Sequence, residues 1–350
     1  MTKTCRAAVF PGNGTFEMRE MAVPGPPPGG AVLRVEAVGL CGSDVAQYHG
    51  VELVPGGSAF PVVPGHETVG RVVALATDAQ LGVAEGDRVA VNEVLSIVPM
   101  RVYGYSDMTG AGELGLWGGY GEYMEVFAGT ELHVLPGDGD AAELTVFEPL
   151  ANAVNWVATA GVNAGDTVVI EGPGHQGLAV LEAVLAAGPS TVIVTGTSAD
   201  ELRLAAARQI GASVTVAVDE QDPLDVVRDH THGMGADVVF DVTPAVQSVA
   251  TAIDLVRFRG RILLAGLKHF REVPGIVTDK IVVNGLTVFG GSGFTPESMA
   301  QAVRLIGDGR VRTDVMRGEV FDLDHVDEAM ALLARTDPSR DAVRVSLRHS

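Results

Sequence analysis

Cysteine is almost missing from this chain, with Cys5 and Cys41 the two in 350 residues. That count rules against a disulfide framework and suits a reducing compartment. Long apolar runs are missing as well, so no segment is built to cross a bilayer. The opening MTKTCRAAVFPGNG lacks the apolar stretch and small-residue cleavage site of a secretory signal, which predicts a cytoplasmic protein. Basic residues are outnumbered, 24 Lys and Arg against 44 Asp and Glu, for a formal charge of −20. A nucleic-acid partner needs a cationic footprint, so that class is excluded, and the surplus acid reads first as solubility.

What is present falls into two textures. Residues 1–150 carry short β-rich runs such as AVLRVEAVGL and GDRVAVNEV, broken by Gly and Pro, with no long amphipathic helix. Residues 151–290 alternate instead: DTVVIEGPGHQGLAVLEAVLAAG is strand, glycine turn and helix, and STVIVTGTSADELRLAAARQIGA repeats the order. Further strands are expected at 213–218, 236–241 and 260–265, which makes βαβ units and a parallel sheet covered on both faces. Residues 291–350 are expected to return to the first domain through a helix from Pro296 to Gly307 and a final strand in DAVRVSLRHS. The predicted class is α/β, a mostly β domain joined to a doubly wound one.

Gly172-Pro173-Gly174-His175-Gln176-Gly177 fits G-x-G-x-x-G, a weak pattern in a chain with 44 glycines. Its context gives it weight, because it follows the strand TVVIE and opens a helix. Gly172 then allows the tight turn, Gly174 the approach of a pyrophosphate, and Gly177 close packing of helix on strand. The acid expected on the adenosine ribose, about twenty residues on, is absent. Thr195, Gly196, Thr197 and Ser198 stand there. A 2′-phosphate would want a cation, and Arg203 is the one at hand, with Asp200 and Glu201 nearer. The reading is NAD with Asp200 as ribose partner, and NADP as the alternative.

A catalytic Zn²⁺ takes three protein ligands from Cys, His and carboxylate and keeps one position open. Cys41, His66, Glu67 and Glu148 are of the right types, and each lies beside a Gly or Pro turn. By residue type alone, a metal site and four separately satisfied side chains both remain open.

The ordered set Cys41-Gly42-Ser43-Asp44, Gly65-His66-Glu67, Glu148-Pro149-Leu150 and the glycine turn resembles the zinc-dependent medium-chain dehydrogenase/reductase superfamily. It is nearest in motif to the sorbitol and threonine dehydrogenase branches. The resemblance spans essentially the whole chain and implies a GroES-like catalytic domain plus a Rossmann cofactor domain. It implies Cys41, His66, Glu67 and Glu148 as the zinc set, Asp44 as the residue orienting the zinc histidine, and Ser43 as the hydroxyl taking the alcohol proton. Arg344 resembles a basic residue that reaches the pyrophosphate or Glu67. The implied chemistry is hydride transfer between a secondary alcohol, cyclic or polyol-like, and NAD, with ketone reduction as its reverse.

Two departures stand out. The four-cysteine lobe of structural zinc belongs between about residues 92 and 120, yet no cysteine occurs there, so one catalytic zinc and no structural zinc are expected. Where many relatives carry a relay histidine stands Ala46, with His49 the candidate substitute. The strand at 286–290 resembles the family's dimer-forming edge, which implies a homodimer or homotetramer. An NADP-dependent carbonyl reductase and a non-catalytic cofactor-binding protein are the competing readings.

Overall fold

The computed structural model describes residues 3–52, 59–97 and 99–349. It divides into two compact units, Met1–Glu148 with Val303–Ser350, and Pro149–Ala302. The second unit thus runs past the expected limit of 290 and ends inside the helix Pro296–Gly307.

In the first unit one sheet orders Glu319–Asp322, Val345–Arg348, Ala31–Leu40, Glu67–Leu75, Arg88–Val91 and Leu132–Val134, with Tyr123–Val126 also on Ala31–Leu40. Ala31–Leu40 reads buried at nine of its ten positions or nearly so, which is what a central strand covered on both faces requires. The tail strand Val345–Arg348 lies antiparallel to it, Val345 opposite Leu40, so the chain end is tied into this unit. Two apolar cores flank the sheet, one around Phe10, Leu40 and Tyr120, the other around Leu33, Tyr103 and Met124. The segment without cysteines forms a short hairpin, Val94–Leu95 with Arg101–Val102. A loop follows in which the Asp107 carboxylate accepts the N–H groups of Thr109, Gly110 and Gly112. Hydrogen bonds thus close this loop.

The second unit is a six-stranded sheet, parallel at every ladder, ordered Val214–Ala217, Thr191–Gly196, Thr167–Glu171, Ala236–Asp241, Val256–Leu264 and Thr287–Gly290. That is the doubly wound order with its reversal beside Thr167–Glu171, where ligands bind such sheets. Thr167–Glu171 is buried at all five positions, so its apolar run carries no alternation. The strand expected at 260–265 starts earlier, at Val256, because a bulge at Ala236/Val238 and a left-handed Arg259 (φ 57°) let it resume pairing after an irregularity. Among the described residues no helix is long and apolar enough to cross a membrane.

Candidate active site

The motif Cys41-Gly42-Ser43-Asp44 opens a seven-residue helix, Gly42–Tyr48. Cys41 is its N-cap: the sulfur accepts the Ser43 N–H at 3.4 Å, while Asp44 Oδ2 accepts the Cys41 N–H at 2.8 Å. This reciprocal cap fixes the thiol and the carboxyl by local chemistry before any ligand arrives. Gly65, at φ 97°, then turns the chain so that His66 enters the same space ahead of the strand Glu67–Leu75.

Cys41, Asp44 and His66 form the tight donor cluster found among the described residues. Cys41 Sγ and His66 Nε2 are 3.4 Å apart. Zinc bonds of about 2.3 Å to sulfur and about 2.0 Å to nitrogen, held at a tetrahedral angle, place two such ligands about 3.5 Å apart. The pair therefore fits the edge of a zinc site. His66 Nδ1 is buried without a hydrogen bond, and Asp44 Oδ1 stands 3.7 Å from it. Asp44 thus orients the ring by charge, its firm bond being the helix cap. Burial pushes the Asp44 carboxyl up to about 6, and burial likewise raises the Cys41 thiol. Burial disfavours charge on His66, but Tyr105, Asp44 and Cys41 outweigh it and hold the imidazole well above its ordinary value.

Neither Glu67 nor Glu148 joins the tight cluster. Glu67, fully buried, is ion-paired with Arg344, whose guanidinium also donates to Thr145 Oγ1 and to the Thr145 carbonyl, each at 2.7 Å. Arg344 is 2% exposed and both its terminal nitrogens are engaged inside the first unit. Its cofactor-binding assignment therefore gives way to the Glu67 alternative. Glu148 is buried in the first turn of the helix Phe147–Ala160. His49 lies at the other end of its helix from Cys41, exposed, its ring edge-on to Tyr48, so the structure does not bring it to the cluster.

Two residues that sequence reasoning missed do reach the site. Tyr105 is 5% exposed, its ring 5.3 Å from that of His66, and its hydroxyl donates to Ser43 Oγ at 2.8 Å. Glu93 lies two residues beyond the strand Arg88–Val91, and its carboxyl interacts electrostatically with Glu148 and His66. It is 8% exposed, and its Oε2 has no hydrogen-bond partner. Burial and the neighbouring Glu148 push its carboxyl well above the usual range. The one sequence signal for either was an acid and a tyrosine in a stretch otherwise read only for missing cysteines.

In the second unit a cavity of about 780 Å³ opens at the carboxyl ends of the strands. Gly172, Pro173, Gly196, Thr197 and Asp200 are on its wall. Gly172 adopts φ 106°, and Gly174 is the N-cap of the twelve-residue helix His175–Ala186, where it brings no side chain of its own. Such a terminus receives anions. A Cβ on Gly177 would come within 1.8 Å of the Gly172 carbonyl oxygen, so the turn closes only with glycine there. His175 begins that helix, and Gln176 donates to the Pro149 carbonyl at 2.9 Å, a structural tie. Asp200 is committed too: its Oδ2 accepts both the N–H and the hydroxyl of Thr197 at 2.9 and 2.7 Å, with Arg203 3.9 Å from its other oxygen. It holds the loop in shape as a cap. Ser198 is similarly held by Asp219.

A family model described as "Alcohol dehydrogenase GroES-like domain" matches residues 27–137, and one described as "Zinc-binding dehydrogenase" matches 177–308. The chain is 35% identical over 350 residues to a probable alcohol dehydrogenase of Mycobacterium tuberculosis, covering 94% of each. It is 30% identical over 366 residues to an erythritol/L-threitol dehydrogenase of Mycolicibacterium smegmatis, covering 98% of this chain and 97% of that one. The crystal structure of 2R,3R-butanediol dehydrogenase from Bacillus subtilis superposes with a TM-score of 0.85 at 24% identity, over 99% of this chain and all of that one, and so shares the fold.

Proposed function

The chain belongs to the zinc-dependent medium-chain dehydrogenase/reductase family, and from that premise we propose that it oxidises a secondary, polyol-like alcohol with NAD and one zinc ion. The observation that carries this reading is the spacing of Cys41 Sγ and His66 Nε2 at 3.4 Å, with the Ser43 hydroxyl beside them. Cys41 and His66 would hold the zinc with carboxylate help from Glu148 or Glu67, and the ion would supply Lewis acidity at the substrate oxygen. A bound nicotinamide would accept the hydride.

The residues of this chain then have separate tasks. Ser43 is the hydroxyl through which the alcohol proton leaves. Asp44 holds the thiol and the imidazole in register. The glycine turn and the helix after it receive the pyrophosphate. The relatives named for erythritol and L-threitol oxidation support a substrate with several hydroxyls. The cavity wall supports NAD over NADP. Its described lining includes Glu171, Asp200, Asp222 and Asp254 and neither Lys nor Arg, a poor setting for a 2′-phosphate.

Two further points belong to this reading. The absence of cysteine between residues 92 and 120 supports a single metal per chain. Among the described residues the edge strand Thr287–Gly290 pairs on one side only and carries Val288, with Val282 and Val283 more than 70% exposed on the helix before it. An unpaired apolar edge favours a second copy of the chain, hence a homodimer or larger assembly in the cytoplasm.

Dialysis against a chelator, with elemental analysis, tests the metal reading. Activity is expected to disappear and to return with zinc at one equivalent per chain, and Cys41→Ser should bind zinc at least tenfold more weakly. A polyol and ketone panel with both cofactors tests the rest. Turnover that survives complete metal removal, or a clear preference for NADP, would overturn the corresponding part.

A further inference from the structure

Tyr105 reaches Ser43 through backbone packing that leaves it little freedom. Gly104 donates its N–H to the Trp117 carbonyl at 2.7 Å, and the Gln47 amide donates to the Gly104 carbonyl at 2.7 Å. A Cβ on Gly104 would stand 2.9 Å from the backbone nitrogen and oxygen of Gly65. Gly104 is therefore seated against the residue before His66, and Tyr105 projects over the imidazole to donate its hydroxyl to Ser43 Oγ at 2.8 Å. Sixty-two positions separate the two residues in sequence.

We propose that Tyr105 is a positioning residue that fixes the direction of the Ser43 hydroxyl, making Ser43 a hydrogen-bond donor to the substrate oxygen. The inference rests on the reading of Ser43 given above. A serine hydroxyl has one proton and two lone pairs. Tyr105 occupies one lone pair. The phenol has a single O–H, and the contact to Ser43 uses it as the donor. The donated bond also polarises the Ser43 O–H, because hydrogen bonds in series strengthen one another at low dielectric. Here the Ser43 oxygen is hydrogen-bonded to the Cys41 sulfur, a bond in which either atom can donate, and the Ser43 proton turns to the substrate oxygen when substrate binds. A substrate oxygen gaining negative charge is the better acceptor, since a hydrogen bond to an anionic oxygen is about twice as strong as a neutral one. As the alcohol ionises, its proton moves to the second lone pair of Ser43 while the original Ser43 proton passes to solvent water, and the order Tyr105 to Ser43 to substrate oxygen stabilises the alkoxide that remains. The phenol keeps its proton throughout and exchanges nothing with the substrate.

The tests are Tyr105→Phe, Ser43→Ala and their double variant in the zinc-loaded enzyme. Tyr105→Phe is expected to lower kcat about tenfold and to move the alkaline rise of the kcat profile upward by about one pH unit. Cofactor affinity and zinc content should not change. Binding of trifluoroethanol, an unreactive alcohol, to the enzyme–NAD complex should weaken about tenfold at alkaline pH, a readout independent of turnover. In the Ser43→Ala background the second substitution should add nothing. A wild-type pH profile and trifluoroethanol affinity in Tyr105→Phe, with Ser43→Ala impaired, would overturn the inference alone. So would an equal further loss in the double variant, which would mark Tyr105 as structural packing. A fully active Ser43→Ala would overturn the reading of Ser43 and the inference with it.

Discussion

Replacing Arg344 by methionine removes the cation paired with Glu67 in the interior of the first unit. Glu67 is 0% and Arg344 2% exposed, and the guanidinium also serves both oxygens of Thr145, itself fully buried. Removing one partner of such a pair leaves the other charge uncompensated, and the loss is typically about 3–5 kcal/mol. Methionine retains most of the aliphatic stem, so little of that loss is packing. At about 2–4 °C per kcal/mol for a unit of this size, the melting temperature should fall by roughly 6 to 20 °C. Urea or thermal unfolding of the zinc-loaded protein reads this directly, with zinc content measured beside it so that metal loss is not mistaken for the effect. Arg344→Met with Glu67→Leu should recover at least half of the deficit, because no buried charge remains. Gly39→Ala attacks the pair from the other side, since its Cβ would stand 2.0 Å from both Arg344 Nη2 and Glu67 Oε2. A loss under about 1 kcal/mol for Arg344→Met would refute the reasoning, because that is the scale of a solvated surface pair.

The glycine turn separates stability from binding. Gly177→Ala meets the Gly172 carbonyl at 1.8 Å and should cost about 1–3 kcal/mol together with at least a tenfold loss in NAD affinity. Gly174→Ala meets nothing within 4 Å, so calorimetry should find its stability unchanged while NAD titration finds weaker binding. His349 supplies a pH signature. Burial holds its pKa down to about 4 from 6.5, and Nε2 donates to the Gly119 carbonyl at 2.8 Å while Nδ1 has no partner. Its contribution is therefore fully present above about pH 6.5 and is lost as pH falls toward 4, by at most about 3 kcal/mol. His349→Gln, which can keep the Gly119 bond, should flatten that part of the acid limb; an unchanged difference in unfolding free energy between pH 7 and 5 would count against it.

The features legible in the sequence were those written locally. The strand-turn-helix around Gly172 needs only neighbours in sequence, and the helix Pro296–Gly307 ends at both expected residues. Cys41 and His66 stood out because their residue types are scarce and flanked by turns, although their meeting at 3.4 Å is a tertiary fact. Local reasoning failed where a side chain had a nearer use. Asp200 is expected on the ribose from its distance along the chain, yet the N–H and hydroxyl of Thr197, three residues upstream, engage its Oδ2. Asp44, by contrast, stands beside the histidine as expected, 3.7 Å from His66 Nδ1, and adds a shorter bond to the Cys41 N–H.

Tyr105 and Glu93 were invisible for the opposite reason, because nothing near them in sequence discloses their targets. The cysteine-free segment read as a deletion of metal ligands, and that reading described only what had gone. In the fold the same segment is anchored by Asp107, seats Gly104 on Gly65, and passes Tyr105 to Ser43. Glu93 and Tyr103 flank the hairpin and meet, the Tyr103 N–H donating to the Glu93 carbonyl at 2.9 Å, so both missed side chains enter the site from its base. The consequence is a coupling that independent residues would lack. Loosening the loop after the hairpin by Asp107→Ala, which removes the three backbone bonds to Thr109, Gly110 and Gly112, should weaken the Tyr105 contact without altering a single group in the cluster. The expected result is the Tyr105→Phe pH profile in attenuated form with zinc content unchanged, and a wild-type profile would show that Gly104 alone holds the tyrosine in place.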